Sequence, residues 1–358
     1  MLLSARLGNL IALLLKHRHI RPSSYPTLVL LFFGCLLLQR AITKEIRLYR
    51  DTVRHVPIPD GPIFITGHWR SGTTHLHYLL SRDTQNFAFP SSYQSFLPTA
   101  FLTLDESSWF YKIAKRIEDA RPSRARPLDN TEYGLALPQE DEFIYVPEGG
   151  YSYIVESLFF PRTAVTDHDE IVRLSNDEKS QEIILRFYKK LAFLYNKRIV
   201  SKSPGHFARI PSLKRIFPAS KFIVIVRNPY EVAASALRAK NLYGRSMALQ
   251  ARVDDDMPTI AKFLSFYFET LERHLAGLRE QEHVLVKYED LVEEPIGTVE
   301  SVYHGLGLTF SATYRAQLTT YLDSLRGYAR NRLELNRDTR ALIYDECRHV
   351  FETYGYER

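Results

Sequence analysis

Cysteine is nearly absent: Cys35 and Cys347 are the only two in 358 residues, and they stand far apart in the chain. A disulfide framework and a cysteine-built zinc site are thereby excluded, and a reducing compartment is the simpler reading. Long apolar runs are also lacking. The most apolar segment, Leu28 to Leu38, is eleven residues long, where a helix needs about 20 to cross a bilayer. No small-x-small cleavage site follows it and no Asn-x-Ser/Thr acceptor occurs, so nothing requires secretion or a lumenal location. Collagen, coiled coil and disorder do not fit a chain that is 45% hydrophobic and 25% charged. Its length allows one large α/β domain or two smaller ones.

The formal net charge of +6 is unevenly placed. Through Val56 nine basic residues face only Glu45 and Asp51, and the remainder is near neutral. A nucleic-acid patch would sit on the folded module itself. Here the excess flanks the apolar segment, which favours an anionic membrane surface and no nucleic acid. Leu3, Leu7, Leu10 and Leu14 recur at helical spacing, and Lys16 to Arg21 separate them from the second apolar piece. This predicts two short helices with a basic elbow. They either lie in the headgroup region or cap the body of the protein. Residues 1–56 are therefore expected to form an amino-terminal apolar and basic segment, and 57–358 the catalytic domain. The expected location is cytoplasmic, peripheral at the cytoplasmic membrane face.

Ile63 to Thr66 reads as a buried strand, followed by Gly67-His68-Trp69-Arg70-Ser71-Gly72-Thr73-Thr74 and a periodic segment from His75 to Leu80. Strand, glycine loop and helix in that order build a phosphate cradle, because glycines let backbone N–H groups approach oxygens and the helix start favours negative charge. The spacing matches a Walker loop, but Thr73 stands where the lysine belongs, and Arg70 inside the loop is the available cation. Metal-assisted transfer of a γ-phosphoryl group is thus poorly equipped, and no metal is expected. A second strand, Lys221 to Val226, ends in Arg227-Asn228-Pro229 and leads into a helix carrying Ser235. Arg227 is a fork for a second phosphate, with an interior carboxylate as its alternative partner. Two anion sites suggest a ligand phosphorylated twice.

These residues resemble the sulfotransferases that use 3′-phosphoadenosine 5′-phosphosulfate, PAPS, in particular the bacterial-type branch related to tyrosylprotein sulfotransferases. The resemblance runs from Pro62 to the carboxyl terminus. It rests on the loop Pro62 to Thr74, on Ile199 to His206 with its Lys202-Ser203-Pro204, and on Phe217 to Pro229 with Ser235. Val284 to Leu291 is similar to a fourth strand with a Y-E-D-L turn, in which Tyr288 contacts the cofactor in some relatives. Arg126 to Asn130 and Pro138 to Phe143 are similar to a loop of one bacterial-type branch. The resemblance implies an α/β, P-loop-like three-layer fold with a central parallel sheet flanked by helices. It also implies a PAPS-dependent sulfotransferase that releases adenosine 3′,5′-diphosphate. Trp69 replaces the usual proline before the loop arginine, and the Phe89 to Gln94 stretch lacks the glutamate that serves some relatives as base.

On this reading Arg70, Ser71, Gly72, Thr73 and Thr74 hold the 5′ end, and Arg227 and Ser235 the 3′-phosphate. Lys202, on the turn after a strand ending at Ser201, stabilises the leaving or transferred group. Among candidate bases Glu140, beside Asp141 and Glu142, comes first and His75 second, while His77 and His206 also lie beside the phosphate motifs. The acceptor is expected to be a small molecule, lipid or glycan, offering a hydroxyl or an amine. Competing readings are a P-loop kinase or nucleotidase and a non-catalytic, membrane-associated nucleotide-binding protein. Helices are predicted at 100–117, 181–195, 311–323 and 338–354, and Arg330 is a candidate to close over the 3′-phosphate.

Overall fold

β-Branched and aromatic runs flanked by turn residues set the strands. In a computed structural model, which describes residues 2–121, 132–251, 253–254, 256–324 and 335–358, five strands form one sheet. They are β1 (Ile63–Thr66), β2 (Phe87–Ala88), β3 (Arg198–Lys202), β4 (Lys221–Val226) and β5 (His283–Lys287), in the order β2-β3-β1-β4-β5. The pairings β1–β3, β1–β4 and β4–β5 are parallel, with Ile65 opposite Lys202 and Ile223, and Val226 opposite Lys287. Every residue of β1 is buried, as is all of β4 after Lys221. Such two-sided burial is what a near-continuous apolar run implies. Helices Thr73–Leu80, His206–Ile216, Pro229–Met247 and Tyr288–Glu293 follow β1, β3, β4 and β5. The architecture is the expected α/β one, a parallel sheet flanked by helices. Parallel strands linked through helices deliver the carboxyl ends of β1, β3 and β4 to one edge, where such folds place their ligands.

The chain divides into two units. One comprises Met1–Pro59, Phe89–Ile199 and Gly244–Val253, and the other Asp60–Ala88, Val200–Tyr243 and Asp254–Arg358. In the second, Phe64 packs on Phe222 at 5.7 Å and on Phe217 at 5.9 Å between ring centroids. Each large apolar side chain so buried contributes about 1.5–3 kcal/mol.

In the first unit, the amino-terminal residues form helices Leu7–Lys16 and Tyr25–Arg54. The second is 30 residues long rather than short. Pro26 in its first turn suits a helix start, and the periodic pattern continues beyond Leu38 through Ile42 and Val53. Cys35, Leu38, Ile42, Glu45 and Val53 form its buried face. Gly34 permits the turn Leu2–Ser4 to pack close, since a Cβ at that position would overlap the Leu3 side chain. The opposite face is bare, with Leu30 65% and Leu37 77% exposed.

The basic elbow is partly internal. His17 is fully buried, stacked on Phe160 at 4.3 Å, with Nδ1 2.8 Å from Thr163 Oγ1 and Nε2 3.0 Å from a Glu156 carboxylate oxygen. Lys16 Nζ reaches the same carboxylate at 2.8 Å. Deeper in the unit, Glu45 is 2% exposed and accepts from Lys190 Nζ at 2.5 Å and from the N–H groups of Leu102 and Thr103 at 2.8 and 3.0 Å.

Helices Glu178–Tyr195, Ala312–Ser324 and Arg337–Tyr354 match the sequence pattern closely. The stretch predicted as one helix over 100–117 is instead a series of turns followed by helix Trp109–Asp119. The Ser107 hydroxyl and N–H bond to Asp105 Oδ1, and Ser108 caps a new helix by accepting from Tyr111 N–H at 3.1 Å. Short polar side chains that compete for backbone partners favour such starts over helix interiors.

Candidate functional site

The loop after β1 is built by conformations that few residues tolerate. Arg70 has φ 73° and Gly72 φ 95°, both left-handed, so the chain curls twice within three residues. For a non-glycine residue this costs about 1–2 kcal/mol, a strain typical of functional loops. A Cβ at Gly72 would overlap the Tyr288 ring, so glycine is required there on two grounds. Ser71 closes the turn, its N–H and hydroxyl donating to His68 O at 3.0 and 2.6 Å. Helix Thr73–Leu80 then starts with no side-chain cap from Gly72. Its first N–H groups point where an anion would sit, and the helix dipole adds to their pull.

Lys202 is the last residue of β3 rather than part of the following turn, because its backbone pairs with Ile65. Only 2% exposed, it places Nζ 3.3 Å from Thr74 Oγ1. A cation is thus brought to the rim of the glycine loop.

The second cation comes from the end of β4. Arg227 donates from Nη1 to Arg70 O at 3.0 Å and lies over the Tyr288 ring at 4.3 Å. Its Nε and Nη2 bond to Glu231, four residues on. Glu231 is 56% exposed, so water screens this pair and a dianionic phosphate can compete for the fork. Arg70 itself turns toward this second grip, its Nε donating to Ser235 Oγ at 3.0 Å. The residue assigned to the 5′ end therefore touches the hydroxyl assigned to the 3′ end. Arg70, Ser71, Gly72, Thr73, Thr74, Lys202, Arg227, Ser235 and Tyr288 all belong to the second unit.

The histidines separate by burial. His75 is half-buried in the first helical turn. His77 is fully buried with Nε2 3.3 Å from Val200 O, and His206 is fully buried against Phe64 at 4.9 Å. Both of the latter are packing residues. Glu140 lies in the first unit as the half-buried residue before the turn Asp141–Ile144. Asp141 and Glu142 are fully buried and accept from Tyr188 OH at 2.6 Å and Ser152 Oγ at 2.5 Å. Two of the three acidic residues are thus internal. Arg126 to Asn130 and Arg330 lie outside the described residues.

Sequence reasoning missed three supports. His68, 1% exposed, bonds through Nδ1 to Trp69 O at 2.9 Å, and burial pushes its imidazole pKa down to about 4. Beneath the loop, Thr66 Oγ1 lies 3.1 Å from Tyr267 OH, whose pKa burial raises. Glu289 accepts from Asn228 N–H at 3.0 Å and from Tyr356 OH at 3.0 Å, fixing the turn that aims Arg227. A local signal existed instead for Glu231, in its four-residue spacing from Arg227 at a helix start. Among the described residues no group of three or more His, Cys, Asp or Glu side chains is placed to hold a metal ion.

A sequence profile of the sulfotransferase family matches residues 62–312. The omega-hydroxy-beta-dihydromenaquinone-9 sulfotransferases Stf3 of Mycobacterium bovis and Mycobacterium tuberculosis are each 32% identical over 315 residues, covering 86% of this chain and 78% of theirs. Among solved structures, sulfotransferase STF9 from Mycobacterium avium superposes with a TM-score of 0.68 at 19% identity, over 88% of this chain and 82% of that one. STF1 from Mycobacterium tuberculosis gives 0.64 at 19%, over 96% and 90%.

Proposed function

The chain belongs to the sulfotransferase family and is a transferase enzyme, and we propose that it takes its sulfuryl group from PAPS and passes it in line to a hydroxyl of an apolar, lipid-like acceptor. The observation that carries the donor is the linkage of two cationic grips, with Arg227 bonded to Arg70 O and Arg70 to Ser235. A donor with phosphates at both ends of its nucleoside suits such a pair, whereas an ATP-like donor leaves the second grip unused. Thr73 in place of the Walker lysine argues the same way.

PAPS supplies an activated sulfuryl group whose departure leaves charge on a phosphate oxygen. The N–H groups of Gly72, Thr73 and Thr74 hold the 5′ end, the N–H and hydroxyl of Ser71 being spent on closing the turn at His68 O, and Arg227 with Ser235 holds the 3′ ester. Lys202, nearly dry and beside Thr74, is suited to offset the charge that grows there, where low local polarity strengthens its effect. Glu140 is assigned as the base, with His75 as the alternative. The assignment is supported by the engagement of Asp141 and Glu142 in internal hydrogen bonds.

The lipid-like acceptor is supported by the hydroxylated menaquinone in the name of the mycobacterial Stf3 relatives and by the bare apolar face of helix Tyr25–Arg54. That helix has the length and composition of a membrane-crossing one, and most of its apolar stretch is exposed. With its apolar stretch flanked by Arg18, Arg21, Arg40 and Lys44, it suits peripheral docking on an anionic bilayer at the cytoplasmic face.

Thermal unfolding with nucleotides tests the donor. Adenosine 3′,5′-diphosphate should raise Tm by several degrees and adenosine 5′-monophosphate far less, with the difference removed by Arg227→Ala. Equal shifts for the two nucleotides would overturn the second grip.

A further inference from the structure

Within the first unit, a cavity of about 650 Å³ opens between helices Tyr25–Arg54 and Glu178–Tyr195. None of the residues assigned to the reaction above lines it. Ile46, Tyr49, Val53 and Leu185 give it apolar walls. Its volume falls in the range of small-ligand pockets, roughly 300–1,000 Å³.

The charges around it are unbalanced. Six cationic side chains line the cavity against three carboxylates. Two of those carboxylates are already engaged: Glu45 by Lys190 at 2.5 Å, and Glu148 by Arg186 at 2.8 Å and Arg6 at 3.3 Å. Arg50 and Arg54, one helical turn apart and both exposed, make no ion pair with a carboxylate among the described residues. The Arg6 Nε is buried and lacks an acceptor, although an arginine N–H taken out of water normally finds one. A chamber with a greasy floor, unpaired cations and an orphaned donor asks for a ligand that brings both an alkyl body and acceptor oxygens.

We propose that this cavity binds an amphiphilic anion, a phosphate or carboxylate head carried on an alkyl or prenyl chain, with Arg50, Arg54 and Arg6 at the head and Val53 and Leu185 along the chain. An inorganic ion fills too little of the space. A neutral amphiphile leaves the cations unmatched, and attraction between charges is stronger beside apolar walls than in open water.

Titration calorimetry on the full chain tests this with octyl phosphate below its micelle concentration, inorganic phosphate and octyl glucoside. Octyl phosphate should bind one to one and at least tenfold more tightly than either control. Arg50→Gln with Arg54→Gln should weaken it at least tenfold, as should Leu185→Asp. Folding of both variants is checked by an unchanged thermal shift with adenosine 3′,5′-diphosphate. Equal affinity for inorganic phosphate would overturn the apolar half of the proposal, and equal affinity for octyl glucoside the anionic half. Undiminished octyl phosphate binding in folded variants would move the ligand out of this cavity.

Discussion

The guanidinium of Arg227 lies over the Tyr288 ring, 4.3 Å from its centre, and one edge of that ring occupies the space a side chain at Gly72 would need. One tyrosine therefore props the arginine of one grip and shapes the loop of the other. A cation held over an aromatic face gains about 0.5–2 kcal/mol.

Tyr288→Ala should accordingly raise the KM for PAPS several-fold to tenfold, while Tyr288→Phe, which keeps the ring face, should remain near the parent. Steady-state kinetics at varied PAPS check this. A phenylalanine variant as impaired as the alanine one would mean that the hydroxyl, not the face, is what matters.

Lys202→Ala removes the cation beside Thr74. Loss of one donor to developing charge typically costs 10²–10³ in kcat, and such a loss with little change in KM for PAPS marks an interaction made in the transition state. Single-turnover transfer of labelled sulfate separates the two constants. A rise in KM at constant kcat would assign Lys202 to ground-state binding instead.

Burial holds the His68 pKa at about 4, against 6.5 for the unperturbed group. Between these values the unfolded chain binds a proton that the folded chain does not, so stability is full above pH 6.5 and falls as pH drops toward 4. The contribution is about 3 kcal/mol. Denaturation midpoints measured from pH 7 to pH 4 should drop more steeply for the parent than for His68→Gln. Parallel slopes would show that His68 is not the titrating group.

Leu30, Phe33 and Leu37 are exposed on helix Tyr25–Arg54. Burying a large apolar side chain is worth about 1.5–3 kcal/mol, so changing all three to glutamate should reduce co-sedimentation with phosphatidylglycerol vesicles by more than tenfold. Tm should stay near the parent value because none of the three belongs to the core. Unaltered sedimentation would place the lipid contact elsewhere.

Strands β1, β3 and β4 and the turns after them were legible because each is a short apolar run closed by glycine, arginine or proline, signals confined to about ten residues, whereas the two-residue β2 carries no such pattern and β5 was read only through the family resemblance. The length of helix Tyr25–Arg54 was not. Its apolar stripe gives way after Leu38 to charged residues that still carry Ile42, Glu45 and Val53 on the inner face. The break at Ser108 depended on local side-chain bonds that outweigh the periodicity of residues 100–117. Glu289 could not be found from the sequence because its partner, the Asn228 N–H, is 61 residues away. The turn of Arg70 toward Ser235, 165 residues on, was hidden for the same reason.

The Glu45 carboxylate also bears on how the polypeptide tolerates truncation. Cutting it after Val56 to obtain a tidy soluble fragment would delete the counter-ion of Lys190 and the acceptor of two loop amides. The cut would also bare the apolar surface that Leu38, Ile42 and Val53 now cover, at about 1.5–3 kcal/mol for each large side chain, which is a large fraction of a domain's total margin. The leading helices are thus a fixed part of the fold, and shortened versions should be recovered as aggregates.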